Sequence, residues 1–325
     1  VKELENKLEN FTGSKYCITT SSGTDGLLLA LKSLNLKKND EVIIPDFAYV
    51  SPAEVAALLN LKIKFVDVDY ETFLMDSKKL KEKITNKTKV IIAVSLFGQC
   101  PNFTEIKRII KNKNIVLIED AAQSFGAKFK NKNSCNIADI SVTSFFPTKT
   151  LGSFGDGGAV FTNKKNIFKK IISLRNHGQS KKKYIHDYVG FNARLDTIQA
   201  AILLVKLNKI KKLLTLRKLK ANNYLSKLKN NNKIILPKIK KNNGSRFAQF
   251  TIKTKFRNKL IKIFKKKKIP FTIYYPKILS EQKAYRQKSN NRVSKILSSQ
   301  AISLPFSPWI KINDQHKVIK AINQL

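Results

Sequence analysis

Apolar positions along the chain fall into two textures. Seven short runs, at 16–20, 41–45, 62–68, 90–96, 115–120, 140–145 and 158–162, are apolar or β-branched and end in polar or turn residues, which predicts strands. Between the early runs, 25–34, 52–60, 77–84 and 103–112 carry apolar residues at helical spacing. Strand alternating with helix predicts a mostly parallel sheet covered on both faces, and the unbroken interiors "VIIAV" and "IVLI" fit strands buried on both sides. From Leu195 the texture changes to "LDTIQAAILLVKLNKIKKLLTLRKLKANNYL", which predicts one long helix leading out of a first domain. The remainder mixes a strand-like piece, "FAQFTIKT", with a basic amphipathic helix at 260–268 and reads as a smaller α+β domain. The expected division is 1–210 and 211–325. No internal repeat is visible.

Composition changes this picture only in part. A chain of 325 residues, 42% of them hydrophobic, can bury a large core in two domains. Its apolar runs stop well short of a membrane span and no basic leader with an apolar stretch opens it, so a soluble protein is expected. Cys17, Cys100 and Cys135 are odd in number, far apart and without CxxC spacing, which argues against a disulfide framework or a zinc site and for reduced thiols in a cytoplasm. No histidine, neither His177, His186 nor His316, has metal-ligand spacing.

The formal charge of +41 raises the question of a nucleic acid partner. Only eight of the 63 basic residues are Arg, however, and the lysines are spread along the whole chain. Arginine is the residue favoured for bidentate phosphate and base recognition, so lysine solvated on many faces is the better reading, with no nucleic acid partner expected. Such a surface would still draw in anionic small molecules such as nucleotide diphosphates.

In an open parallel sheet, ligands sit beyond the carboxyl ends of the strands. Four segments there carry candidate chemistry. "TTSSGTDGLLLAL" runs from a strand into a helix through small residues, so Gly23 and Thr24 can cradle a phosphate, or Thr24 or Asp25 can simply cap the helix. "IVLIEDAAQSFGA" sets Glu119 and Asp120 at the end of a buried strand, where a carboxylate needs a cation or donor: a protonated pyridine nitrogen, a helix end or a salt bridge. "SFFPTKTLGSFGDGGAV" places Lys149 five residues after Ser144, followed by four of the chain's 12 glycines. A lysine in an apolar cleft has a lowered pKa and becomes a nucleophile and proton carrier, whereas any one of 55 lysines is ordinarily a solvated charge. Lastly, "DYVGFNARLDTIQAA" holds Asn192 and Arg194, the latter either an ion pair with Asp196 or a carboxylate or phosphate clamp.

The order of these signals resembles the fold-type I pyridoxal-phosphate enzymes. The wording of "SSGTDGL", "DEVIIPDFAYVS", "VSLFGQ", "IEDAAQSFGA", "TSFFPTKTLGSFGDGGAVFT", "RNHGQ", "VGFNARLDTIQAAILLVKL", "YYP" and "SLPFSP" is similar, over nearly the whole chain, to the DegT/DnrJ/EryC1/StrS sugar aminotransferases. That resemblance implies a cytoplasmic homodimeric transaminase that moves an amino group from L-glutamate to a nucleotide-linked keto sugar for surface polysaccharide, on pyridoxal 5'-phosphate. It implies that Lys149 bonds to the cofactor and shuttles the proton, that Asp120 keeps the pyridine nitrogen protonated, and that Gln123 reaches the phenolic oxygen. It also implies phosphate binding by Gly23, Thr24 and Ser144, stacking of Tyr49 on the ring, and Asn192 reaching across the dimer to the partner's cofactor phosphate. His177, in "RNHG", is implied to shape the site. Family members with histidine at the lysine position dehydrate instead; Lys149 implies transamination.

"NSCNIAD", "TSFFPTKTLG", "VGFNARLDTIQAAILLVKL" and "FAQFTIK" look most like the subgroup acting on UDP-2-acetamido-2-deoxy-3-oxo-glucuronate for O-antigen, with 4-keto-6-deoxy sugars as the alternative and a basic DNA-binding regulator on the same scaffold further off. In that subgroup Arg194 would fork onto the sugar carboxylate and Tyr275 would meet substrate. The chain departs from the family in having Tyr274-Tyr275-Pro276 where His-Tyr-Pro is common, and Val1 matches a point about one helix inside the usual start, which implies a leading segment ahead of it.

Overall fold

The computed structural model describes residues 1–325. All seven expected strands form, and they make one sheet. They are β1 (Tyr16–Thr20), β2 (Glu41–Pro45), β3 (Lys62–Val66), β4 (Thr88–Val94), β5 (Val116–Asp120), β8 (Ile140–Ser144) and β9 (Gly158–Thr162), in the order β1-β9-β8-β5-β4-β2-β3. Short pieces β6 (Lys128–Phe129), β7 (Lys132–Asn133) and β10 (Asn243–Gly244) form a separate ribbon, and β11 (Phe250–Lys253) pairs antiparallel with β12 (Ala301–Leu304). The large sheet is parallel except for β9, which runs against both β1 and β8. Because β9 is reversed, its first residue, Gly158, pairs with Thr20 and Ser144, the last residues of its neighbours. Three segment ends therefore meet at one edge, the carboxyl end of the sheet where ligands collect.

Every residue of β2 and β9 is buried, as continuous apolar strands require when helices cover both faces. The expected early helices appear as Gly23–Lys32, Ser51–Leu58, Ser77–Lys83 and Phe103–Ile109, within a few residues of the expected bounds. Helices Lys2–Thr12, Lys165–Arg175, Arg292–Gln300 and Ile312–Ile322 were not expected from the pattern.

The single long helix expected from Leu195 is corrected by the structure. Leu195 and Asp196 precede the helix, which runs Thr197–Asn208, breaks at Lys209 (φ −100°, ψ 0°) and resumes as Ile210–Leu228. The change of core comes partway along the second helix, between Leu214 and Ala221. Leu203, Leu207, Ile210 and Leu214 pack with Leu4, Phe125 and Phe161, whereas Ala221, Tyr224 and Leu228 pack with Phe250, Phe264 and Ile319. One straight rod would not present both faces to both cores, and periodicity alone does not register a change of partner. No helix is long and apolar enough to cross a membrane.

The later segment is tied to the large sheet by buried polar anchors. Asp46, directly after β2, accepts from Ser280 N (2.8 Å), Ser280 Oγ (2.8 Å), Ser289 Oγ (3.1 Å) and Asn291 Nδ2 (2.8 Å) with no cation nearby. Lys253 on β11, 1% exposed, donates to the carbonyls of Tyr70 (2.6 Å) and Glu71 (3.1 Å) and lies over the Tyr70 and Phe73 rings. Removing Asp46 would strand several buried donors at once, each costly without a partner. We expect Asp46→Ala to lower unfolding stability by about 3 kcal/mol in urea titration and Asp46→Asn by less, since an amide oxygen still accepts; equal, small losses would show that the anchor contributes little.

Candidate active site

Beyond the meeting of strand ends, the chain leaves a cavity of about 260 Å3. Its floor is Leu27, Val94 and Val142, and one wall is aromatic: Tyr49, Phe146, Tyr274 and Tyr275. Eight residues singled out in the sequence line it, namely Gly23, Thr24, Tyr49, Asp120, Gln123, Ser144, Lys149 and Tyr275.

The helix Gly23–Lys32 begins against this cavity. Ser22 caps it, its side chain accepting from Asp25 N, so the cap is Ser22 and not Thr24 or Asp25. The first-turn N–H groups of Gly23 and Thr24 have no intrahelical acceptor and remain available to an anion. A side chain on Gly158 would lie 2.5 Å from Ser22 O and 2.7 Å from Gly23 N, and one on Gly23 would lie 2.9 Å from Ser144 Cβ. Only glycine lets β9 pass this close behind the turn. Thr24 Oγ1 meets Ser51 Oγ at 2.7 Å, which fixes the hydroxyl at the cavity rim.

Asp120 ends β5 almost wholly buried. One carboxylate oxygen accepts from Ala122 N at 3.0 Å, and the other has no hydrogen-bond partner within the chain. Burial raises its pKa above the usual carboxylate range, opposed by the Ala122 donor and by the charge of Lys149. Lys149 in turn is pulled below the usual lysine range by burial, with Asp120 opposing. Neither group is paired in an ion bridge; both lie in the cavity, each sensing the other's charge. Gln123 is committed on both sides, its Oε1 accepting from Phe97 N at 2.7 Å and its Nε2 donating to Tyr275 Oη at 3.3 Å, so a second Nε2 hydrogen is what remains for a ligand. Burial pushes the Tyr275 hydroxyl up.

Glu119, the companion of Asp120, points the other way. It is fully buried and accepts from Ser95 Oγ, Ser134 Oγ, Ser141 Oγ and Cys135 N, and so belongs to the packing behind the sheet. The three thiols are free and buried.

Two expected site residues lie elsewhere. Asn192 and Arg194 are exposed and outside the cavity, and Arg194 donates to Asn176 Oδ1 (3.3 Å) and Asn192 Oδ1 (3.1 Å). The Arg194–Asp196 ion pair weighed from the sequence is not formed. His177 is also exposed, on the turn that receives His186 Nδ1 at its carbonyl. The sequence reading missed Ser51, Thr148, Asp156 and Gln249, which line the cavity too. Gln249 lies 100 residues beyond Lys149, just before β11, and no local spacing connects them.

The residues fit a pyridine cofactor: an unpartnered carboxylate oxygen, a desolvated lysine, an aromatic wall and free N–H groups at a helix start stand round one cleft. Fold and site together define a fold-type I pyridoxal-phosphate-dependent transferase. The sequence pattern of the DegT/DnrJ/EryC1/StrS aminotransferase family matches residues 1–323. The chain belongs to that family.

Among curated relatives, the UDP-2-acetamido-2-deoxy-3-oxo-D-glucuronate aminotransferase of Pseudomonas aeruginosa is 43% identical over 95% of this chain and 86% of its own. A pleiotropic regulatory protein of Geobacillus stearothermophilus is 35% identical over 99% of this chain and 88% of its own. Among solved structures, ntda from Bacillus subtilis with bound cofactor PMP superposes with a TM-score of 0.91 at 27% identity, covering 99% of this chain and 76% of that one. The enzyme class is thus a sugar aminotransferase, and the family's cofactor is pyridoxal phosphate.

The direction of the Asp120 shift gives a stability test. A carboxyl whose folded pKa is raised contributes stability below the unfolded value, about 3.9, and loses it as pH rises through the folded value. Asp120→Asn keeps the Ala122 acceptor and does not titrate. We expect the cofactor-free variant to match wild type in acid and to exceed it in Tm toward neutral pH; a variant less stable at neutral pH would mean that Asp120 is held by a partner within the chain.

Proposed function

We propose that the protein transfers the amino group of L-glutamate to a UDP-linked keto sugar, with UDP-2-acetamido-2-deoxy-3-oxo-glucuronate as the substrate, in the cytoplasm and for surface polysaccharide. The observation that carries the reading is the meeting of Lys149 and Asp120, both desolvated, in one cavity at the carboxyl end of the sheet. The substrate is supported by the likeness to the Pseudomonas aeruginosa enzyme. When bound, the cofactor supplies an electron sink for the carbon beside the reacting nitrogen. Lys149 holds the cofactor and, once released, carries a proton between the two carbons flanking that nitrogen, which its lowered pKa favours. Asp120 keeps a proton on the pyridine nitrogen. Gly23, Thr24 and Ser144 take the phosphate, Gln123 offers Nε2 to the phenolic oxygen, and Tyr49 covers the ring. Residues 1–210 act as the cofactor-binding part and 211–325 as the smaller part, a division supported by the core that Ala221 to Leu325 build among themselves.

The active unit is a homodimer. Phe154, Tyr184, Val189, Ile198 and Val205 are exposed in the lone chain, and Asn192 and Arg194, exposed too, stand between the helices Lys165–Arg175 and Thr197–Asn208, outside their own cavity. A second copy covering this face would bring Asn192 to the partner's phosphate and Arg194 to the sugar carboxylate.

The purified protein should carry an absorbing cofactor that glutamate bleaches, and borohydride should fix it to Lys149 and not to Lys149→Ala; a label on another residue would end this reading. Incubation with glutamate and the 3-keto sugar should place the new amine at carbon 3 by NMR. An amine formed only on 4-keto sugars would reassign the substrate.

The dimer has its own test. Lys149→Ala and Asn192→Ala should each be impaired alone, yet mixing and exchanging subunits should restore about a quarter of wild-type activity, because half the dimers are mixed and each holds one intact site. If the mixture stays inactive while light scattering shows exchanged dimers, Asn192 does not serve the partner.

A further inference from the structure

A second cavity of about 210 Å3 adjoins the first, and the two share Thr148, Gln249 and Tyr274 in their walls. It runs between Pro270–Tyr274 and Ser303–Phe306. Its lining mixes apolar side chains (Phe271, Leu304, Phe306) with polar ones (Thr272, Ser303). At the junction Gln249 Oε1 is buried without any hydrogen-bond partner, and no hydrogen bond within the chain engages its Nε2. A buried amide oxygen left unpaired is costly, and in a folded protein it calls for a partner from outside the chain.

The backbone leading to Gln249 is held firmly. Arg246 N donates to Gly98 O at 3.0 Å, Arg217 Nη1 donates to the carbonyls of Phe247 (3.1 Å) and Ala248 (3.4 Å), and Arg246 Nε reaches Gly126 O. Gly98, at φ +92°, approaches so closely that a side chain there would lie 2.7 Å from Phe247 N, and Phe247 itself adopts φ +45°. Left-handed backbone at a bulky residue persists only where its surroundings enforce it. An amide delivered by such a segment and left unsatisfied is placed for a ligand.

Resting on the transaminase reading above, we infer that Gln249 determines substrate specificity by pairing with an acylamino substituent of the sugar whose carbonyl takes up the amino group beside Lys149. The pairing is reciprocal: Oε1 accepts from the substituent N–H while Nε2 donates to its C=O, and the methyl group enters the second cavity against Phe271, Leu304 and Phe306. A hydroxyl at that sugar position can satisfy one of the two groups but leaves the apolar wall empty.

Calorimetric titration of the holoenzyme with UDP-N-acetylglucosamine and UDP-glucose, which lack the reacting carbonyl, reads this directly. Wild type should prefer the acetamido ligand by about tenfold, the size expected for one further neutral hydrogen bond net of solvation together with partial burial of a methyl group. Gln249→Leu should lose that preference at an undiminished Tm, since the change removes an unpaired polar group; Gln249→Ala, which keeps the fold with less bulk, should lose it too. A wild type without preference, or variants that keep it, would overturn the role of Gln249 whether or not glutamate reacts. Failure of glutamate to bleach the wild-type cofactor would overturn the transaminase reading instead, and the titrations would still decide Gln249.

Discussion

The structure is organised round a carboxylate taken out of water and given half of what it needs. Asp120 stands at the end of a central strand, its charge opposed by burial and favoured only by its one internal donor, the N–H of Ala122, and by Lys149. In an apolar setting the chain tolerates such a group only if the remainder of the molecule is stable enough to bear it. Glu119, one residue earlier, shows the contrast. With four donors round its two oxygens it needs nothing further and does no chemistry.

That arrangement depends in turn on the sheet. A wholly parallel sheet would put the start of β9 at the far edge, away from the ligand. Reversing β9 brings Gly158 between Thr20 and Ser144, so the glycine-rich segment after Lys149 has only to turn once to return under the turn that opens the helix Gly23–Lys32. The absent side chain on Gly158 leaves the space that Ser22 and Gly23 occupy. Strand order, a single reversed strand and one glycine place the lysine opposite the carboxylate.

Much of this was legible in the sequence because it is local. Buried strands announce themselves as unbroken apolar runs, and Lys149, Asp120 and Gly23 each sit just after one, where a parallel sheet puts its site. The break at Lys209 was not legible, since helical spacing continues through it, and the change of core beyond Leu214 leaves no mark on that spacing either. The reversal of β9 could not be read either, because its composition is that of any buried strand. Gln249 was hidden for a third reason: its meaning lies in an unpaired atom and a strained neighbour, which no spacing records. Asn192 and Arg194 were visible as polar residues before a helix, yet their place outside the cavity is set by tertiary packing that no spacing records.

The charge of the chain can now be placed. Six of the 22 acidic residues are buried, Glu5, Glu41, Asp46, Asp67, Glu119 and Asp120, whereas of the 63 basic residues only Arg217 and Lys253 are. Carboxylates are therefore spent at positions where the fold or the site requires an acceptor, and the lysine excess is almost wholly a property of the surface. A uniform surface excess carries little shape information and cannot read a base sequence, which demands arginine or amide forks at fixed places. It does set a long-range field that attracts multiply charged anions from every side. An anionic ligand approaching such a molecule gains its encounter rate from the lysines and its orientation from the few groups inside, so the outer charge and the inner specificity are separate layers of recognition.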